Sequence, residues 1–146
     1  MYFNLISPII LIVGYDLWFY FVHRAFHTKL LYKYHKIHHT HGKLESKQAV
    51  KAHIVEDLVT YFGSFYIYII FNKTFSIKSL IISNAYTSIR GYIQHSPDLV
   101  KYRIIQLVFG DDHHVIHHEK FNYNFSQKWI DDLFGTTYKK NKIECY

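Results

Sequence analysis

The first 22 residues, MYFNLISPIILIVGYDLWFYFV, form an apolar run with Pro8 near its start and Asp16 as its only charge. A helix of about 20 such residues, rising about 1.5 Å per residue, crosses a hydrocarbon core about 30 Å thick. The pattern therefore predicts a membrane-spanning helix over 1–22. With no basic leader and no small-residue cleavage site, it reads as a retained helix, not a signal peptide.

Two further apolar runs, Leu58 to Phe71 (LVTYFGSFYIYIIF) and Phe75 to Ile93, flank the polar tip Asn72-Lys73-Thr74. They predict a helical hairpin over 57–93. Each arm is no longer than a span needs, and the second carries Lys78 and Arg90, so two full crossings and a shallow re-entrant hairpin both satisfy the pattern. Either way the chain returns to the side it left.

The segments outside these runs are basic. Lys29, Lys33, Lys36, Lys43, Lys47 and Lys51 follow the first helix, and a positive excess beside a span marks the cytosolic side. Beyond the hairpin come KYRIIQLVFG, a histidine block, the loop FNYNF and a short helix. Ser126 is the expected N-cap of that helix and Gly135 its terminator. Trp129, Ile130, Leu133 and Phe134 are expected on one side of it, as on an interfacial helix. With no internal repeat and no low-complexity linker, residues 1–146 read as one all-α integral membrane domain. Its parts are a membrane helix, a first histidine-rich block over 23–53, the hairpin, and a second block over 94–146.

Charge and cysteine content narrow the function classes. The net charge is +6, from 17 Lys and Arg against 11 Asp and Glu. The aromatic residues fall within the apolar runs and do not interleave with the basic ones, which argues against a nucleic-acid surface. The single Cys145 excludes intrachain disulfides and thiolate-based zinc sites.

Eight of the twelve histidines carry the candidate chemistry, in three clusters: His23 with His27, His35 with His38 and His39, and His114 with His117 and His118. Residues three and four apart on a helix lie on one face about a turn apart, so each cluster can aim two or three imidazoles at one point. A lone histidine on a basic helix is ordinarily solvated or hydrogen-bonded locally, but neither role selects this spacing twice. Eight imidazoles exceed the four ligands of tetrahedral zinc and call for two metal ions. Iron suits the nitrogens and cycles electrons; zinc occupies the same nitrogens without redox chemistry.

Asp16 shares a helix face with Tyr20, His23 and His27, and a carboxylate in a membrane helix is costly and usually functional. Seven residues of helix, about 10 Å, separate it from His23. It is expected to accept a hydrogen bond from, and so orient, a ligand histidine on another helix.

The spacing H-x-x-x-H, H-x-x-H-H and H-x-x-H-H, in this order, resembles the fatty acid hydroxylase / sterol desaturase superfamily of membrane di-iron oxygenases. DLWFYFVHRAFH is similar to its first-box helix, LYKYHKIHHTH to its second, and DDHHVIHHEKFNYNFSQKWIDDLFGT to its third box and the stretch beyond. The resemblance covers about Asp16 to Thr136, with Ile130-Asp131 where the family usually has Trp-Asp. It implies that His23, His27, His35, His38, His39, His114, His117 and His118 are metal ligands, and that His95, in QHSPDL, matches a further family histidine. His53 with Glu56 resembles a His-Pro-x-Glu element, with Ile54 at the proline position and the role open. His41 and His113 read as neighbours, although His113 lies four residues before His117 and is able to replace His114.

The resemblance further implies two iron ions, with zinc as a possible substitute, dioxygen as co-substrate, and electrons from a separate NAD(P)H-linked cytochrome b-type donor. The substrate would be a membrane lipid, a sterol, fatty acyl chain or sphingolipid, hydroxylated or desaturated at an unactivated C–H bond. The expected location is the endoplasmic reticulum or a related endomembrane, with the histidines facing the cytosol. The competing expectation is a catalytically inactive membrane protein of the same fold that binds metal.

Overall fold

A computed structural model describes residues 6–39, 44–70 and 74–139. His41, Lys43, Asn72, Lys73 and Cys145 lie outside the described residues. Among the described residues all regular structure is helical, as the apolar pattern predicts.

Helix α1 (Ile6–Phe26) is the one described helix long and apolar enough to cross a membrane. Its first half turns Ile6, Ile9, Ile10 and Val13 outward, whereas Leu11, Asp16, Tyr20 and His23 are buried. Helix α2 (Tyr32–His35) leads into the turn that carries His38 and His39, and a 3-10 turn (Ser46–Val50) follows.

The first arm of the expected hairpin is broken in two, α3 (Ile54–Thr60) and α4 (Gly63–Ile70). The cause is competition for backbone carbonyls. In a continuous helix the carbonyls of Leu58 and Val59 would accept from the amides four residues on. Here the Tyr66 hydroxyl donates to Leu58 O at 2.8 Å and the Trp18 indole N–H to Val59 O at 2.9 Å. Gly63 admits the indole, because a Cβ there would collide with the Trp18 ring.

The second arm is α5 (Ile77–Gln94), capped by the Ser76 side chain, which accepts from Ser79 N. Lys78, Asn84 and Arg90 leave it less apolar than a span requires. It packs along α1, and Leu11, Phe75 and Leu80 form a small apolar cluster with Ile67 and Tyr68 against it. Helices α6 (Pro97–Val100) and α7 (Arg103–Phe109) then lead to α8 (His113–Glu119) and α9 (Lys128–Phe134).

Two sequence expectations about α9 are corrected. Its N-cap position is Gln127, not Ser126; the Ser126 amide donates to Asp131 and its hydroxyl to Asp16 O, which draws Ser126 out of the capping position. Nor do its apolar residues share one side. Ile130 is fully buried against Tyr20 and Phe125, while Trp129 and Leu133 face outward. Gly135 ends the helix in a left-handed conformation, φ 68°, as expected.

Candidate metal centre

Histidines far apart in sequence converge near the C-terminal ends of α1 and α5. Two groups form. His23, His27, His35, His39 and His117 make one; His38, His95, His114 and His118 make the other. In each, the candidate ligand nitrogens all lie within 4.8 Å of one another. All nine histidines singled out from the sequence are thus brought together, including His95 at the C-cap of α5.

The spacing fits a coordination shell. Metal–nitrogen bonds of about 2.0–2.1 Å place adjacent ligands about 2.9–3.4 Å apart. Nε2 atoms face each other at 3.0 Å between His23 and His35, 3.1 Å between His39 and His117, and 3.0 Å between His38 and His95. His95 and His114 are also 3.0 Å apart, and His114 and His118 3.3 Å. His27 Nε2 is buried with no hydrogen-bond partner.

The donor chemistry of the His38–His95 pair suits a cation. His38 Nδ1 lies 3.3 Å from Lys51 O and His95 Nδ1 2.7 Å from Gly91 O. A carbonyl only accepts, so both Nδ1 atoms carry the proton and both Nε2 atoms carry lone pairs. Burial lowers His38 to about 3 and His95 to about 4, so neither ring is a cation at neutral pH. Two lone pairs then face each other at hydrogen-bond distance with no proton between them. A metal ion bound by both removes that repulsion.

Burial acts on the whole cluster in the same direction. It lowers His27 to about 4 and holds His35, His39, His114, His117 and His118 well below the ordinary imidazole value, with neighbouring rings adding to the effect on these five. Neutral imidazole is the form that ligates metal.

Outside the rings lies a shell of acceptors. His23 Nδ1 donates to Phe125 O at 2.5 Å and His117 Nδ1 to Tyr123 O at 2.7 Å. His35 Nδ1 is 2.7 Å from Glu56 Oε1. Burial, with Asp57 adding to it, pushes the Glu56 carboxyl up to about 8; a cation on His35 would act the other way and hold it ionised. His53 caps α3 by accepting from Val55 N and takes no part in either group. His113 does not stand in for His114; its Nε2 points to Asp131 at 3.2 Å.

The Asp16 expectation is corrected. Its carboxylate does not reach a histidine; it forms a two-pronged buried ion pair with Arg90 on α5, with Nη1 to Oδ2 at 3.0 Å. The face shared with His23 is real, but the opposing helix presents a guanidinium at that depth. The carboxylate that does reach a ring of the cluster, that of His35, is Glu56, which the sequence left without a role.

A cavity of about 390 Å³ opens beside the cluster between α1, α3 and α5. Phe19, Val50, Tyr61 and Tyr92 line it, together with His23, His35, His38, His95 and His114. Asp16 and Arg90 also line it.

Residues 8–136 match the family profile described as "Fatty acid hydroxylase". Methylsterol monooxygenase 1 of Gallus gallus is 32% identical over 125 residues, which cover 83% of this chain and 42% of that protein. Methylsterol monooxygenase erg25B of Aspergillus fumigatus is 32% identical over 138 residues, 88% of this chain and 47% of its own length. Methylsterol monooxygenase 1 of Danio rerio is 32% identical over 131 residues, 87% and 45%. The chain thus spans less than half the length of these relatives. No solved structure gives a significant match. With the three histidine clusters and the stretch beyond them inside the matched region, the chain belongs to the fatty acid hydroxylase family.

Proposed function

We propose that the protein is a membrane-bound, dioxygen-dependent oxidoreductase that holds two iron ions and oxidises a sterol-class lipid at an unactivated C–H bond. The observation that carries this reading is the convergence of nine imidazoles, in one group of five and one of four, of which His23, His35, His38, His95 and His114 line a cavity. His23, His27, His35, His39 and His117 would hold one ion, and His38, His95, His114 and His118 the other. Bound iron supplies dioxygen activation and hydrogen abstraction, which no side chain performs unaided.

The chain's own residues do the rest. Carbonyls and Glu56 fix the ring tautomers so that lone pairs point inward. The cavity walls hold an apolar substrate beside the rings and exclude water. The names of the relatives support a methylsterol as substrate and oxygen insertion as the outcome. The outward apolar residues of α1 suit a bilayer, with the histidines on its cytosolic side, in the endoplasmic reticulum or a related membrane. Electrons would come from a separate NAD(P)H-linked cytochrome b-type protein, and the exposed Lys29, Lys33 and Lys36 offer a basic face to an acidic donor.

The test compares lipids, by mass spectrometry, from cells producing the wild type or His118→Ala. Sterols that gain oxygen only with the wild type support the reading. Purified protein that holds metal but oxidises no lipid under any reductant contradicts it and favours a metal-binding protein without turnover.

A further inference from the structure

The stretch FNYNFSQKWIDDLFGTTY, residues 121–138, gives no ring to either histidine group. It gives two carbonyls. Tyr123 O accepts from His117 Nδ1 and Phe125 O from His23 Nδ1, so both acceptors flank Asn124 and both serve the five-histidine group.

Those carbonyls are held by two residues that touch no metal-facing ring nitrogen. Asn124 adopts φ 60°, a left-handed conformation that asparagine tolerates better than most residues. Its amide and both side-chain polar atoms are used: its amide donates to Thr136 O at 2.9 Å, its Nδ2 to His113 O at 3.0 Å, and its Oδ1 accepts from Tyr138 N at 2.7 Å.

Asp131 is fully buried and collects four donors. Its Oδ1 accepts from Phe125 N at 2.9 Å and from the Thr136 hydroxyl at 2.6 Å; its Oδ2 accepts from Ser126 N at 2.8 Å and from His113 Nε2 at 3.2 Å. Two adjacent amides of the carbonyl-bearing loop are therefore tied by one carboxylate to the first residue of α8, which carries His117. The four-histidine group takes its backbone acceptors from elsewhere, Lys51 O and Gly91 O.

We propose that Asp131 and Asn124 are positioning residues for one half of the metal centre: through the carbonyls of Tyr123 and Phe125 they lock His117 and His23, and so govern metal retention at the five-histidine group. The inference rests on the metal-binding part of the proposed function and is independent of the lipid reaction. Asp131→Asn keeps the shape but replaces one acceptor oxygen with an NH2 group, which faces donors wherever it points. Asn124→Gly keeps the left-handed backbone and removes both side-chain ties.

The full chain in detergent is loaded anaerobically with Fe(II), desalted and analysed for metal per chain, with Co(II) absorption as a second readout of the ligand field. Wild type is expected to keep two ions. Asp131→Asn is expected to keep one, with the Kd of the other site raised about 10–100-fold, the usual effect of removing an outer-shell partner. His118→Ala is expected to lose the ion of the other group, and the His118→Ala/Asp131→Asn protein to keep none. Asp131→Asn with two ions at wild-type affinity overturns the proposal, as does loss of both ions together from a protein of wild-type helicity. If Asp131→Asn fails to fold, Asn124→Gly is judged by the same results. Failure of wild type to oxidise any lipid would sink the proposed reaction and leave this metal count unaffected.

Discussion

The histidine cap and the helical body beneath it are built on opposite principles. Around the rings the interior consists of imidazoles, Glu56, Asn124 and Asp131, with the small cluster of Tyr20, Phe125 and Ile130 at its side. Between α1, α4 and α5 the buried apolar cluster is Leu11, Phe75 and Leu80, and many large apolar residues, such as Ile9, Ile69 and Ile81, face outward. A soluble domain gains its stability by burying such residues. Here the body leaves them exposed, as a lipid surrounding would permit, and in the proposed function the cap, whose apolar core is the three residues Tyr20, Phe125 and Ile130, relies on metal to satisfy inward lone pairs.

Removing the metal should break the two regions apart most sharply. Structural metal sites supply on the order of 10 kcal/mol to the folded state. A chelator should therefore abolish amide exchange protection in α2, α8 and the loop at 123–126 while α5 keeps its own. Uniform loss across both regions would show that the cap has no separate dependence.

Acid should act next, and on the cap alone. His27 and His95 sit at about 4 and His38 at about 3 when folded, against 6.5 in the unfolded chain. Between these values the unfolded chain binds more protons, so stability is full above about pH 6.5 and falls as pH drops toward 4. Thermal melts of the metal-loaded protein, whose cap is folded, should show Tm falling through that window; a flat or rising Tm contradicts neutral buried rings.

The body has its own weak point in the Asp16–Arg90 pair. Arg90→Leu leaves a buried carboxylate unpaired, and breaking a buried pair costs about 3–5 kcal/mol. The expected result is a lower Tm with an unchanged metal count, and partial recovery in Asp16→Leu/Arg90→Leu. A lost ion would mean that Asp16 acts on a ligand after all. Smaller still, Glu56→Gln should weaken one metal site about 10–100-fold, or about 1.4–2.7 kcal/mol, and leave the body's melting untouched.

Much of this contrast was legible in the sequence. The i, i+3, i+4 spacing marked eight of the nine rings that converge but not their division, since His38 parts from His35 and His39, and His117 from His114 and His118; the apolar run marked α1, and the polar tip marked the start of α5. What periodicity does not carry is the partner across a helix interface. Asp16 was placed on the correct face, but Arg90, 74 residues away, reads in the sequence only as a charge that weakens a span. The break between α3 and α4 depends on Trp18 capturing a carbonyl from another helix, and the shift of the α9 cap depends on Asp131 reaching back to Ser126. Each is a side chain competing with local backbone bonding, invisible to a pattern read along the chain. Glu56 lacked a role for the same reason, since its ring partner lies in the preceding block.

X-ray absorption on the iron-loaded protein tests the central claim most directly. Two irons per chain, each surrounded by nitrogen at about 2.1 Å with the multiple scattering of imidazole rings, is the predicted result. A single iron per chain, or a first shell dominated by oxygen, would contradict it.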